Sequence, residues 1–162
     1  MAFSETCRFY FAYGSNMNRS RMDGRGLDIV SISPAWIEGF VLKFNKRSQQ
    51  DSSLGCANIA YDPSAKVEGV LYELKSVSEI AKLDPYEGTP RRYSREVFVV
   101  RKPQGIQSAW LYIANPSVID NQLRPAPWYL DHLLQGRAYI TDDYWKNLKA
   151  TPCVGHATDQ WD

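Results

Sequence analysis

The apolar and polar positions of this chain read as strands first and helices late. Cys7 to Tyr13 is rich in aromatic residues, which favour a pleated, half-buried surface, and the run stops at the small polar sequence Gly14-Ser15-Asn16. A helix is predicted to begin near Asn18. Pro34 to Phe44 is again rich in strand formers, with Gly39 at a bulge or a close-packed position. The polar stretch Ser48 to Gly55 reads as a surface loop. It joins this strand to two more, Cys56 to Tyr61 and Val67 to Leu74, with a turn at Asp62-Pro63 between them.

Ser76-Val77-Ser78-Glu79 then matches a capping box, in which the Ser76 hydroxyl accepts from a first-turn N–H and Glu79 reaches back. The short helix it opens is expected to end near Asp84, because Pro85 disfavours helical geometry at the residue before it. Glu87 then lies just past a helix end. Strands follow at Tyr93 to Val100 and Ser108 to Ile113. Leu130, Leu133 and Leu134 recur at helical spacing within Trp128 to Gln135, with Gly136 as a C-terminal stop. Thr141 with Asp142 and Asp143 caps and charge-matches a last helix running to about Lys149, and the tail from Thr151 is expected to be mobile. Short connections between strands and one inserted helix imply an α+β architecture on a mostly antiparallel sheet.

Composition narrows the function. With 162 residues, 44% hydrophobic and 13% aromatic, the chain suffices for one core and is short for two, so residues 1–162 are read as a single domain. Nineteen basic against eighteen acidic residues leave a net charge of +1, which argues against nucleic acid or an anionic membrane as partner and fits a small neutral or zwitterionic ligand. No apolar run approaches the roughly twenty residues of a membrane span, and the N-terminus lacks a signal-peptide pattern, so a cytosolic protein is expected. Cys7, Cys56 and Cys153 are odd in number and widely spaced, which argues against a disulfide framework and a zinc site. His132 beside Asp131 reads as a solvated histidine, and with His156 far away no metal site is expected.

Candidate chemistry begins at Gly14-Ser15-Asn16, where an absent side chain, a hydroxyl and an amide follow an aromatic strand. Such a turn lets an anion or a carbonyl oxygen approach backbone N–H groups, although many turns of this composition only turn the chain. The full words are Tyr10-Phe11-Ala12-Tyr13-Gly14-Ser15-Asn16-Met17, then Leu83-Asp84-Pro85-Tyr86-Glu87-Gly88, then Tyr93. In that order they resemble the motifs of the γ-glutamylcyclotransferases. The resemblance runs over roughly Arg8 to Lys149 and includes Pro125-Ala126-Pro127-Trp128-Tyr129, which is similar to a proline-rich run before the family's C-terminal helices.

The resemblance implies a sheet curled into a small β-barrel with peripheral helices, and a cofactor-free enzyme. In such an enzyme the substrate's own α-amino group attacks its γ-glutamyl carbonyl, closing 5-oxoproline and releasing an amine. Glu87 matches the acid/base position, to be surrounded by Leu83, Tyr86 and Tyr93. A glutamate titrates near 4.3 and an α-amino group near 8, so apolar surroundings must raise the carboxyl for it to serve as base. Tyr13, Gly14, Ser15, Asn16 and Met17 are implied to hold the glutamyl end, Met17 standing where leucine is commoner, and Tyr93 and Tyr129 to line the pocket or to be core tyrosines. Whether the turn holds a carboxylate or the oxyanion is open at this level. Asp84 is expected to cap or to pair with Arg91 or Arg92, and Arg91 to meet the carboxylate of a departing amino acid. A γ-glutamylamine or γ-glutamyl-lysine substrate, or a binding module without turnover, are the other readings, and the family includes dimers, so a homodimer is compatible with the resemblance.

Overall fold

Two long strands dominate the architecture, β2 (Ile29–Arg47) and β3 (Gly55–Leu74), paired antiparallel from Ile29↔Leu74 to Arg47↔Gly55. The computed structural model describes residues 6–155. Strands β1 (Phe9–Ala12), β4 (Tyr93–Lys102) and β5 (Gly105–Ala114) complete a closed barrel in the order β1-β3-β2-β4-β5. Every pairing is antiparallel except the seam, where β1 meets β5 in parallel at Tyr10↔Trp110. The Trp110 indole also donates to the Cys7 carbonyl across that seam, at 3.3 Å. Phe11, Val70, Leu71, Tyr72 and Leu111, on the two faces of this sheet, are all essentially inaccessible to water.

The expected break at Asp62-Pro63 does not end a strand; β3 runs through it. Pairing with β2 lapses there, between Phe40↔Tyr61 and Glu38↔Lys66, so the residue without an N–H sits where the ladder asks for none. Asp62 still makes its local turn, its carboxylate accepting from the Ser64 N–H at 3.0 Å and the Ser64 hydroxyl at 2.8 Å. Opposite it, Gly39 takes φ +84° at the register shift, as a bulge requires.

The helices differ more from expectation. Helix α1 (Arg19–Gly24) begins after Asn18, whose side chain caps it by accepting from the Ser20 N–H. No capping box forms at Ser76: the Ser76 hydroxyl meets that of Ser78, and the Glu79 carboxylate takes the Asp28 N–H at 3.0 Å and the Lys82 ammonium at 2.9 Å instead. A charged partner outcompetes the cap. The short helix is a 3₁₀ turn, Glu79–Lys82, that ends near Asp84 as expected, but Pro85 also opens a second helix. It lies in the first turn of α2 (Asp84–Glu87), where a missing N–H costs nothing, and Glu87 is the last helical residue before Gly88 turns left-handed at φ +65°. Asp84 pairs with Arg95 at 3.0 Å and accepts from the Tyr112 hydroxyl at 2.8 Å, not with Arg91 or Arg92.

Helix α3 (Pro127–Leu134) ends at Gln135, and Gly136 has φ −81°, so it is no left-handed stop. Space explains it better: a Cβ there would stand 2.9 Å from the Met17 methyl. Helix α4 (Asp142–Lys149) is capped by Thr141 as expected, and the buried Glu68 carboxylate grips that cap through the Thr141 N–H at 2.8 Å and hydroxyl at 2.9 Å. The start of the tail is docked rather than mobile, with Cys153 buried and the Val154 N–H on the Pro125 carbonyl. His156 lies outside the described residues. No helix among the described residues is long and apolar enough to cross a membrane.

Candidate active site

Glu87 reaches one end of the barrel from the close of α2, and its side chain is 15% exposed. Its Oε1 accepts from the Asn16 amide at 3.2 Å and lies 3.7 Å from the Arg25 guanidinium. Burial pushes the carboxyl above the ordinary glutamate range, and Arg25, Lys46, Arg21 and the Asn16 hydrogen bond pull it part of the way back. Two chambers meet at this carboxylate. The inner one, about 30 Å³, holds one or two water-sized groups and is walled by tyrosines 10, 13, 93, 112 and 129, with Gly14, Ser15, Asn16 and Ala57. The outer one, about 160 Å³, shares Ser15, Glu87, Tyr93 and Tyr129 and is closed by Arg21, Arg25, Lys46, Tyr86, Trp128 and the loop 48–50.

The turn is built by close approach. Gly14 has φ −117°, which any residue adopts, but a Cβ there would stand 2.9 Å from the Ala57 Cβ. After it, Ser15–Met17 forms a 3₁₀ turn, whose first N–H groups have no acceptor within the turn and border the inner chamber. Asn16 is committed elsewhere. Its amide donates to the Tyr10 hydroxyl at 3.0 Å and to Glu87, its Oδ1 accepts from Arg25 at 2.8 Å, and its carbonyl accepts from the Tyr72 hydroxyl at 2.6 Å. It is thus placed to orient the carboxylate. Met17 does not reach the chambers; its side chain is buried in the core near Gly136.

Tyr93 and Tyr129 wall both chambers with their rings, but their hydroxyls are spent on one peptide. At Ala57 the β2–β3 register shifts between Lys43↔Asn58 and Lys46↔Cys56. The Ala57 N–H donates to the Tyr129 oxygen at 2.9 Å, and the Tyr93 hydroxyl donates to the Ala57 carbonyl at 2.5 Å. The Tyr13 hydroxyl likewise donates to the Tyr112 carbonyl. Burial drives these phenols well above the ordinary tyrosine range, so they act as neutral donors and walls. Tyr10, whose ring abuts Tyr72 and Tyr112, is of the same kind.

Of the residues expected around the carboxylate, Tyr93 is in place, Leu83 is buried in the core, and Tyr86 is half-exposed beneath Arg25, whose guanidinium lies 4.6 Å from the ring centre. Arg91 is exposed and lines neither chamber. The cations that line the outer chamber are Arg21, Arg25 and Lys46, which arrive from α1 and the end of β2 and which no motif announces. His132 is partly buried and partnered: its ring nitrogens lie 3.1 Å from the Asn18 amide and 3.3 Å from Arg21, and burial, with that guanidinium, lowers its pKa. A larger cavity of about 610 Å³ between β2 and α4 is lined by such residues as Val41, Phe44, Leu123 and Leu148 and holds no carboxylate. Among the described residues no three His, Cys, Asp or Glu side chains cluster as metal ligands would.

Fold and site together define a small closed barrel with one buried acid at the junction of a two-chambered cavity. The family model for gamma-glutamyl cyclotransferase, AIG2-like, matches residues 10–145, and the chain belongs to that family. Similar folds occur in an uncharacterized protein from Homo sapiens (TM-score 0.78, 24% identity, 92% of this chain and 90% of that one). A structure described as a gamma-glutamyl cyclotransferase is comparable, with TM-score 0.77 and 21% identity over 92% of this chain and 90% of that one. A yeast gamma-glutamyl cyclotransferase specific to glutathione is more distant, with TM-score 0.62 and 14% identity over 86% and 93%. These likenesses are of fold. No curated protein matches the sequence.

Proposed function

We propose that this protein is a γ-glutamylcyclotransferase: it binds a γ-glutamyl amide, closes 5-oxoproline and releases the amine, with Glu87 moving the protons. The observation that carries the reading is a single carboxylate, desolvated yet held in one orientation by Asn16 and Arg25, at the junction of two chambers. Because burial raises its pKa, Glu87 is a stronger base toward an α-ammonium than an exposed glutamate. The ionised carboxylate takes a proton from the ammonium. The freed amine attacks the γ-carbonyl, and the 3₁₀ turn's first N–H groups are the donors nearest a developing oxyanion. Glu87 hands that proton to the departing nitrogen as the C–N bond breaks. The attacking nitrogen, which keeps one hydrogen in the lactam, gives up its second proton through the same carboxylate to the released amine, which leaves as an ammonium, and the carboxylate is restored. The rest of the work is holding the glutamyl chain folded, which walls of neutral, braced tyrosines favour.

Glu87→Gln keeps the shape and loses the base. It is expected to fold with an unchanged circular dichroism spectrum while 5-oxoproline release from γ-glutamyl dipeptides falls by about 10²- to 10⁴-fold. Near-parental turnover in that variant refutes the assignment, and ligand binding without turnover in the parent protein favours a binding module.

A further inference from the structure

The outer chamber carries a surplus of positive charge. Glu87 is its one carboxylate, and Arg25 already faces it at 3.7 Å. Lys46 is 4% exposed, its ammonium 4.7 Å from the centre of the Tyr93 ring, and among the described residues it has no hydrogen-bond acceptor and no carboxylate partner. Arg21 lines the same chamber, its Nε buried without an acceptor and its Nη1 3.3 Å from the ring of His132. Burying a cation is costly unless a counter-charge comes with it. Here one carboxylate, Glu87, faces three cations, and of these only Arg25 lies within ion-pair distance of it.

We propose that the outer chamber is an anion subsite in which Lys46 and Arg21 select a leaving amine that bears a carboxylate, and prefer one that bears two. The proposal rests on the γ-glutamylcyclotransferase reading and names the substrate class within it. The geometry fits such a ligand. About 160 Å³ accommodates an amino acid of the size of glutamate. Ser48, Gln49 and Gln50 add neutral polar groups around the two cations, and the chamber meets Glu87, where the scissile nitrogen must lie. A neutral amine leaves both cations unpaired, and a cationic one is repelled.

The test compares kcat/KM for γ-glutamyl-glutamate, γ-glutamyl-alanine and γ-glutamyl-alaninamide. Rates are expected to fall in that order, by about 10- to 100-fold between the alanine and alaninamide compounds, the range of a hydrogen bond to a charged group. Lys46→Gln and Arg21→Gln compress that ratio, and Lys46→Arg restores it. Equal turnover of acid and amide, or a Lys46→Gln loss that is the same for all three, overturns the proposal, since the second result puts Lys46 on the shared glutamyl end. A readout without turnover comes from Cys56, the cross-strand partner of Lys46 and the half-buried thiol of the same chamber, Cys7 and Cys153 being buried. In the unaltered protein, millimolar glutamate slows its alkylation by iodoacetamide and alaninamide does not. Protection without any turnover refutes the enzymatic reading and keeps the subsite; no protection refutes the subsite.

Discussion

Glu87 is useful because two opposing influences act on one carboxyl. Desolvation raises its pKa, and the cations around it, Arg25 first, lower it. The acid limb of kcat/KM is therefore expected above the ordinary glutamate value of about 4.3, since the base form is lost as pH falls through the raised pKa. Removing Arg25 takes away a lowering influence, so Arg25→Gln moves that limb to higher pH. It also frees the Asn16 oxygen and lowers kcat, and a pH–rate profile in which the limb stays or moves down contradicts the assignment. At this scale the sequence was half legible. Glu87 and the Gly14 turn stand in contiguous words, whereas Arg21, Arg25 and Lys46 reach the same cavity from unrelated segments, and Arg91 attracted notice through closeness in sequence that the fold does not keep.

Among the elements, the turn after β1 and the shifted register of β3 form one unit. Gly14 leaves no room for a methyl against Ala57, while two phenols hold the Ala57 peptide that the β2 ladder has released. Gly14→Ala is expected to cost about 1 to 3 kcal/mol by overpacking. Ala57→Gly relieves that contact, so in urea unfolding the double variant should be more stable than the two single losses add up to, and simple additivity speaks against the contact. Strand existence was readable from β-branched and aromatic runs, and the Thr141 cap from its side chain. The helix end before Pro85 was readable and the second helix that Pro85 opens was not, because a proline that ends one helix and a proline that opens the next look the same in sequence. Glu79 was misread because its partners, Asp28 and Lys82, include one distant in sequence that the β2–β3 pairing brings alongside.

For the whole molecule, barrel closure was implied by family resemblance and by nothing in the periodicity, since alternation tells a strand which face is buried and not whether the sheet meets itself. The seam is thin: one parallel bridge at Tyr10↔Trp110 and the bonds of the Trp110 indole to Cys7, the Cys7 thiol to Ser108 and the Tyr13 hydroxyl to Tyr112, against the long β2–β3 ladder. Native-state hydrogen exchange is expected to show the greatest protection in β2 and β3 and the earliest opening at the β1–β5 edge. Uniform protection around the barrel would count against a weak seam. The two chambers also differ in ancestry within the fold. The inner one is walled largely by strand tyrosines whose hydroxyls brace the barrel, and the outer one by α1, the start of α3 and the loop 48–50. Drift at Arg21, Trp128 or the loop 48–50 leaves that brace untouched, whereas Tyr93 and Tyr129 wall both chambers, so the outer chamber can change the ligand it admits while the tyrosine walls stay under the stronger constraint of keeping the barrel shut.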